Sequence, residues 1–160
     1  MFERIVVPLD GSRLSTQAIP YATEVGKRFG AEIILVRVIS AHGLAPVPEV
    51  QNAENSNSTD IMQTEEIDDI DNAAYAKRYL INWAQSLKSQ GVKVSYEVLV
   101  GNPAKAIMQL SEAQQASLIV MISHGKGAFR RAIMGSVADE ILRHSSIPVL
   151  IVRMPNLGNN

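Results

Sequence analysis

Two periods of hydrophobic spacing take turns along this chain. Short apolar runs occupy Arg4 to Leu9, "AEIILVRVIS" at 31–40, "SLIVMI" at 117–122 and "IPVLIVR" at 147–153. All four read as strands, and the near-continuous run at 31–40 is of the kind buried on both faces of a parallel sheet. "VKVSYEV" at 92–98 alternates instead, with Val92, Val94, Tyr96 and Val98 on one face. That fits a strand with one exposed face or near a sheet edge. Between the runs, apolar residues recur at helical spacing: Ala18, Ile19, Ala22, Val25 and Phe29, then Ala73, Ala76, Leu80, Trp83 and Leu87, then Ile107 and Leu110.

Local punctuation sharpens the boundaries. Pro20 is tolerated only in a first helical turn, so the regular helix is expected to start near Ser15 or Thr16, or to bend there. Gly30 is a good residue just past a helix end. Asn102 and Pro103 read as N-cap and first helical residue. A last helix is expected from Ser136 to Arg143. The order β-α-β-α-β-α-β-α-β predicts an α/β fold, a single doubly wound five-stranded parallel sheet with helices on both faces, Rossmann-like. Ligands of such folds sit beyond the carboxyl ends of the strands. Two segments there matter most: Pro8-Leu9-Asp10-Gly11 and "MISHGKGAFRRAIMGS" at 121–136.

Residues 41–64 interrupt the pattern with prolines, a glycine and a polar tract, and read as a long mobile loop inserted in a domain covering 1–154. The polar tail 155–160 is expected to fray. Glu65, Glu66, Asp68, Asp69 and Asp71 read as a solvated helix start, with a metal site as the minority reading.

Composition narrows the function. The 160 residues are 46% hydrophobic and 19% charged, enough for one sizeable core. A net charge of −1 argues against a general nucleic-acid binder. The absence of cysteine excludes disulfides, thiolate catalysis and cysteine-ligated zinc. No apolar run approaches a membrane span, and "MFERIVVPLD" lacks a signal-peptide core, so a cytoplasmic location is expected.

The 121–136 segment concentrates backbone freedom and positive charge. It holds three glycines and four cationic or imidazole side chains. Gly125 and Gly127 let amides approach an anion. Gly135-Ser136 stands where a helix begins, and its free N–H groups favour a phosphate. No GxxxxGK[ST] occurs, so this is not a Walker A loop. Ser136 with Asp139 also reads as a capping-box variant, and spacing alone does not choose between capping and phosphate binding.

At this point the chain resembles the universal stress protein family over nearly its whole length, the 41–64 loop and the tail excepted. The resemblance rests on "IVVPLDGS", "GAEIILVRV", "GNPAKAI" and "LIVMISHGKG…MGSVADEILRHSSIPVLIVR", in that order. Family members that bind ATP carry G-x2-G-x9-G-[ST]. Gly125, nine residues and Gly135-Ser136 match its second half, but the first glycine falls on Ile122. If the native backbone there is extended, isoleucine fits, and its side chain enters the core or lines the pocket. If a positive φ is needed, isoleucine is a strain outlier.

Carried over residue by residue, the resemblance implies a site for ATP or another adenine nucleotide, often with magnesium. Asp10 would stand near ribose and base, with Pro8 shaping its turn; an Asx-turn with Gly11 is the alternative reading of Asp10. Val38 would meet the adenine, or else is plain sheet core. Met121 and Ile122 would line the base and ribose pocket. Gly125, Gly135, Ser136 and Val137 would give phosphate contacts, with Lys126 and Arg131 as outer charges. The implied protein is a non-enzymatic nucleotide-binding stress protein, at most a slow hydrolase, with His124 a weak candidate base. The alternative is a homodimeric interaction module that has lost nucleotide binding. A nucleotidyl transferase would need an HxGH-type motif, which is absent. The last strand is expected to pair with its copy in a homodimer, with Val149 and Ile151 at the interface; a central strand covered within one chain is the alternative.

Overall fold

The computed structural model describes residues 1–39, 73–123 and 134–153. All five strands are parallel. β1 (Arg4–Pro8) pairs with β2 (Glu32–Ile39) along its whole length, from Arg4 opposite Glu32 to Pro8 opposite Val36. β2 pairs with β3 (Val94–Val100) from Ile33–Val94 to Ile39–Val100. On the other side β1 meets β4 (Leu118–Ile122), which pairs with β5 (Val149–Val152) from Ile119–Val149 to Ile122–Val152. The sheet order is β3-β2-β1-β4-β5. Strand order therefore reverses between β1 and β4, and the alternating strand β3 is indeed at an edge.

The β1–β4 contact is short. Only Ile5–Leu118 and Val6–Ile119 are in register, near the amino ends. Ser117 fastens that end: its Oγ accepts from the amides of Glu3 and Arg4 and donates to the Arg4 carbonyl, to which its own amide also donates. Toward their carboxyl ends β1 stays with β2 and β4 stays with β5.

Among the described residues, four helices cover the two faces. Pro20 sets the form of the first. Residues Ser15–Ala18 make a 3-10 turn, and α1 (Ile19–Phe29) starts with proline in its first turn. Gly30 ends it at φ 67°, a left-handed geometry that glycine adopts at little cost. α2 (Ala73–Ser89) buries Ala76, Leu80, Ala84 and Leu87, one face at helical spacing. α3 (Pro103–Ala113) begins as expected, with the Asn102 side chain accepting from the Lys105 amide at 3.0 Å. α4 (Ser136–His144) follows β4.

The alternation of side chains along the strands then splits the core in two. Ile5, Val7, Ile33, Leu35, Val120 and Ile122 face α1 and α2. Val6, Ile34, Val36, Ile119 and Met121 face α3 and α4, with Ala138 and Ile141 from α4. β5 closes one edge. Val149 and Ile151 pack partly on the α3–α4 side, whereas Leu150 on the opposite side remains 37% exposed. The 41–64 loop, the acidic run from Glu65 to Asp71 and the tail lie outside the described residues.

Candidate functional site

The switch point between β1 and β4 is where a parallel sheet of this type presents a crevice. Two chain segments border it. The first, from Asp10 to Ser15, joins β1 to the 3-10 turn and is built from its own hydrogen bonds. Asp10 Oδ1 accepts from the Ser12 amide at 2.8 Å and from the Ser12 hydroxyl. The buried Ser15 hydroxyl accepts from the Asp10 amide and donates to the Ser12 carbonyl at 2.9 Å. The Asx-turn reading of Asp10 is thus realised, because a short carboxylate satisfies the amide two residues on. Gly11 sits at φ 82°, where any other residue would be strained.

The second segment is the start of α4. Gly135 donates its amide to the Ser123 carbonyl at 2.6 Å, which brings the helix start to the carboxyl end of β4. Gly135, not Ser136, is the N-cap, with φ −62° and ψ 149°, and no side chain caps the helix among the described residues. The first helical hydrogen bond runs from the Asp139 amide to the Gly135 carbonyl. The amides of Ser136, Val137 and Ala138 precede it and are the donors that a helix leaves over. A capping box does not form, since the Asp139 carboxylate turns to Arg143 Nε at 2.9 Å. These donors and the helix dipole suit an anion.

Apolar candidates gather on the α3–α4 side of the sheet. Val38, Met121 and Val137 belong to that core or pack against it, and strand alternation puts Pro8 on the same face as Val6. Pro8, Val38 and Val137 are half-buried and Met121 is buried. Ile122 faces the other way. It ends β4 in extended geometry opposite Val152, is 7% exposed, and joins Leu9, Ala18 and Val152 in the core beneath α1. Gln115 is the one described non-glycine residue with positive φ, so Ile122 carries no such strain. Of the two backbone geometries open to Ile122, the structure takes the extended one. Gly125, like His124, Lys126 and Arg131, lies outside the described residues.

One group near the site escaped the sequence reading. Arg37, on β2, is 2% exposed, and its guanidinium lies beneath Gly11. Tyr75 and Tyr79 of α2 hold their rings 5.7 and 5.4 Å from its Cζ. The Tyr79 hydroxyl is buried and meets no hydrogen-bond partner among the described residues. Burial pushes its pKa above the ordinary tyrosine value; nearby Ser15, Trp83 and the Arg37 charge oppose the shift, and Asp10 adds to it. The signal was a lone cation inside "IILVRVI", since a charge in a central strand has no route to water.

Comparison with known proteins places the chain. A model described as the universal stress protein family matches residues 1–153. Universal stress protein MJ0531 of Methanocaldococcus jannaschii is 31% identical over 157 residues, covering 97% of this chain and 84% of the relative. Universal stress protein YxiE of Bacillus subtilis is 30% identical over 157 residues, covering 96% and 100%. Among solved structures, protein MJ0577 of Methanocaldococcus jannaschii superposes with TM-score 0.74 at 26% identity, over 98% of this chain and 99% of that one. A universal stress protein crystallised in complex with cAMP gives TM-score 0.63 at 26% identity, covering 94% and 97%.

Proposed function

The chain belongs to the universal stress protein family, and from that premise we propose that it binds ATP or a related adenine nucleotide in a stress-response or regulatory role. The observation that carries the reading is the uncapped start of α4, held against the end of β4 at the switch point. Phosphate oxygens would accept from the Ser136 and Val137 amides and the Ser136 hydroxyl, with Gly135 giving close backbone access. Gly125 is assigned to the same contact by its place in the sequence motif alone. Pro8, Val38 and Met121 offer an apolar face for the base, and Asp10 stands where a ribose hydroxyl would donate. Ile122 supports the site from the core side, beneath the end of β4.

No three His, Cys, Asp or Glu side chains converge on a metal position among the described residues. Magnesium in this reading travels on the nucleotide phosphates, as it commonly does. The protein acts by binding, in the cytoplasm, with hydrolysis at most slow. It does so as a homodimer through β5, because an edge strand with Leu150 exposed is an open template for its copy.

The test is calorimetric titration of nucleotide-stripped protein with ATP–magnesium, and with GTP and cyclic AMP in parallel. Micromolar binding of an adenine nucleotide supports the reading. No heat from any adenine nucleotide overturns it and leaves the homodimeric interaction module. Sedimentation velocity of the wild type against Leu150→Lys tests the dimer separately: a dimer that Leu150→Lys turns into a monomer is expected, and a wild-type monomer would refute it.

A further inference from the structure

The β1–α1 turn looks self-sufficient until its underside is considered. A Cβ built on Gly11 would lie 2.5 Å from Arg37 Nη1 and 3.0 Å from Cζ and Nη2. Those atoms are packed guanidinium, not the loose end of a surface side chain. The same construction at Gly30, Gly91 and Gly101 meets nothing within 4 Å. Gly11 alone among the left-handed glycines of the described residues therefore rests on a side chain.

That side chain is immobilised from the far side. Tyr75 and Tyr79 stand four residues apart on α2, so both rings fall on one helix face. Both lie within cation–π range of the guanidinium. Burying a guanidinium costs desolvation that an apolar residue at this strand position would not incur. Its planar head, however, fills a flat slot between two rings and a glycine backbone, which a flexible ammonium fits less well.

We propose that Arg37 is the positioning residue of the nucleotide site: clamped by Tyr75 and Tyr79, its guanidinium is the floor on which Gly11 lies and so sets where Asp10 stands. The assignment to a nucleotide site rests on the function proposed above; the Arg37–Gly11 coupling does not. Tyr79 feels both the Arg37 and the Asp10 charge, as expected if all three share one buried neighbourhood. α2 thereby becomes part of the site without touching ligand.

The test is a double-mutant cycle in the full chain, read by thermal unfolding and by amide spectra. Gly11→Ala meets the Arg37 head and also bears the strain of φ 82°. In an Arg37→Ala background only the strain remains, so Gly11→Ala should lower the melting temperature less there than in the wild type. Arg37→Met should shift the amide resonances of Asp10, Gly11 and Ser12 and leave those of Gly91 and Gly101 in place. Equal cost of Gly11→Ala in both backgrounds, or shifts confined to α2, would overturn the coupling. If an Arg37 variant fails to fold, Arg37→Lys with Gly11→Ala gives the same comparison. Adenine-nucleotide affinity is then measured on Arg37→Met beside Leu87→Ala, a core variant remote from Gly11. A roughly tenfold loss in the first and none in the second supports the positioning role. An unchanged affinity in Arg37→Met refutes it, and absence of binding in the wild type refutes the nucleotide reading while leaving the cycle to decide the coupling.

Discussion

The two segments that border the β1–β4 crevice handle their backbone polar groups in opposite ways. The turn from Asp10 to Ser15 spends its serine and aspartate side chains on its own amides and carbonyls. The start of α4 holds one backbone hydrogen bond to Ser123, and its first amides take no side-chain cap among the described residues. A prebuilt wall thus faces a set of unspent donors. In the proposed nucleotide site, orientation would come from the first and attraction from the second.

The sharpest way to break this division is Ile122→Ala. If Ile122 belongs to the core beneath the first segment, truncation should cost about 3 kcal/mol in denaturant unfolding. It should also leave nucleotide affinity unimproved; tighter binding with little destabilisation would put the side chain in the pocket instead. Ser15→Ala comes next. It removes the hydroxyl that accepts from the Asp10 amide and donates to the Ser12 carbonyl in a half-buried turn, so a loss of about 1 kcal/mol is expected. A change within measurement error would mean that the turn is not self-supporting.

Ser136→Asp separates the two roles of the α4 start by sign. A carboxylate there complements the helix dipole and should stabilise the fold by about 0.5 kcal/mol. The same charge would repel a phosphate, so nucleotide affinity should fall while the melting temperature rises. Both quantities moving together would show that the amides are not the anion site. The smallest effect is at alkaline pH. Tyr79 has a folded-state pKa raised above 10.0, mainly by burial. The folded state therefore favours the neutral phenol. That contribution is complete below pH 10 and is lost as pH climbs through the raised folded-state value. Phenolate absorbance should show a late ionisation step, and Tyr79→Phe should remove it.

Much of the fold was legible because its signals are local. Asn102-Pro103 announced the start of α3, Pro20 announced the irregular entry to α1, and the four apolar runs announced four of the five strands. The site was legible less evenly. Gly135 took the N-cap that Ser136-x-x-Asp139 had suggested for the serine, because the Gly135 amide is drawn to Ser123 across the segment between them. Only the fold brings those two residues together. Ile122 presented two admissible geometries, and the pairing with β5 selects the extended one. Arg37 was invisible as a partner of Gly11, since contacts between neighbouring strand ends depend on register, which periodicity does not encode.

The shortness of the β1–β4 pairing has a mechanical consequence. Fastened at Ser117 and unpaired above Val6 and Ile119, the sheet is a book bound only along the lower spine. One leaf is β3-β2-β1 with the aspartate turn; the other is β4-β5 with the helix start and the outer edge of the sheet. A molecule gripping both leaves would act as a clasp, and whatever holds β5 from outside would bear on how far the book stands open.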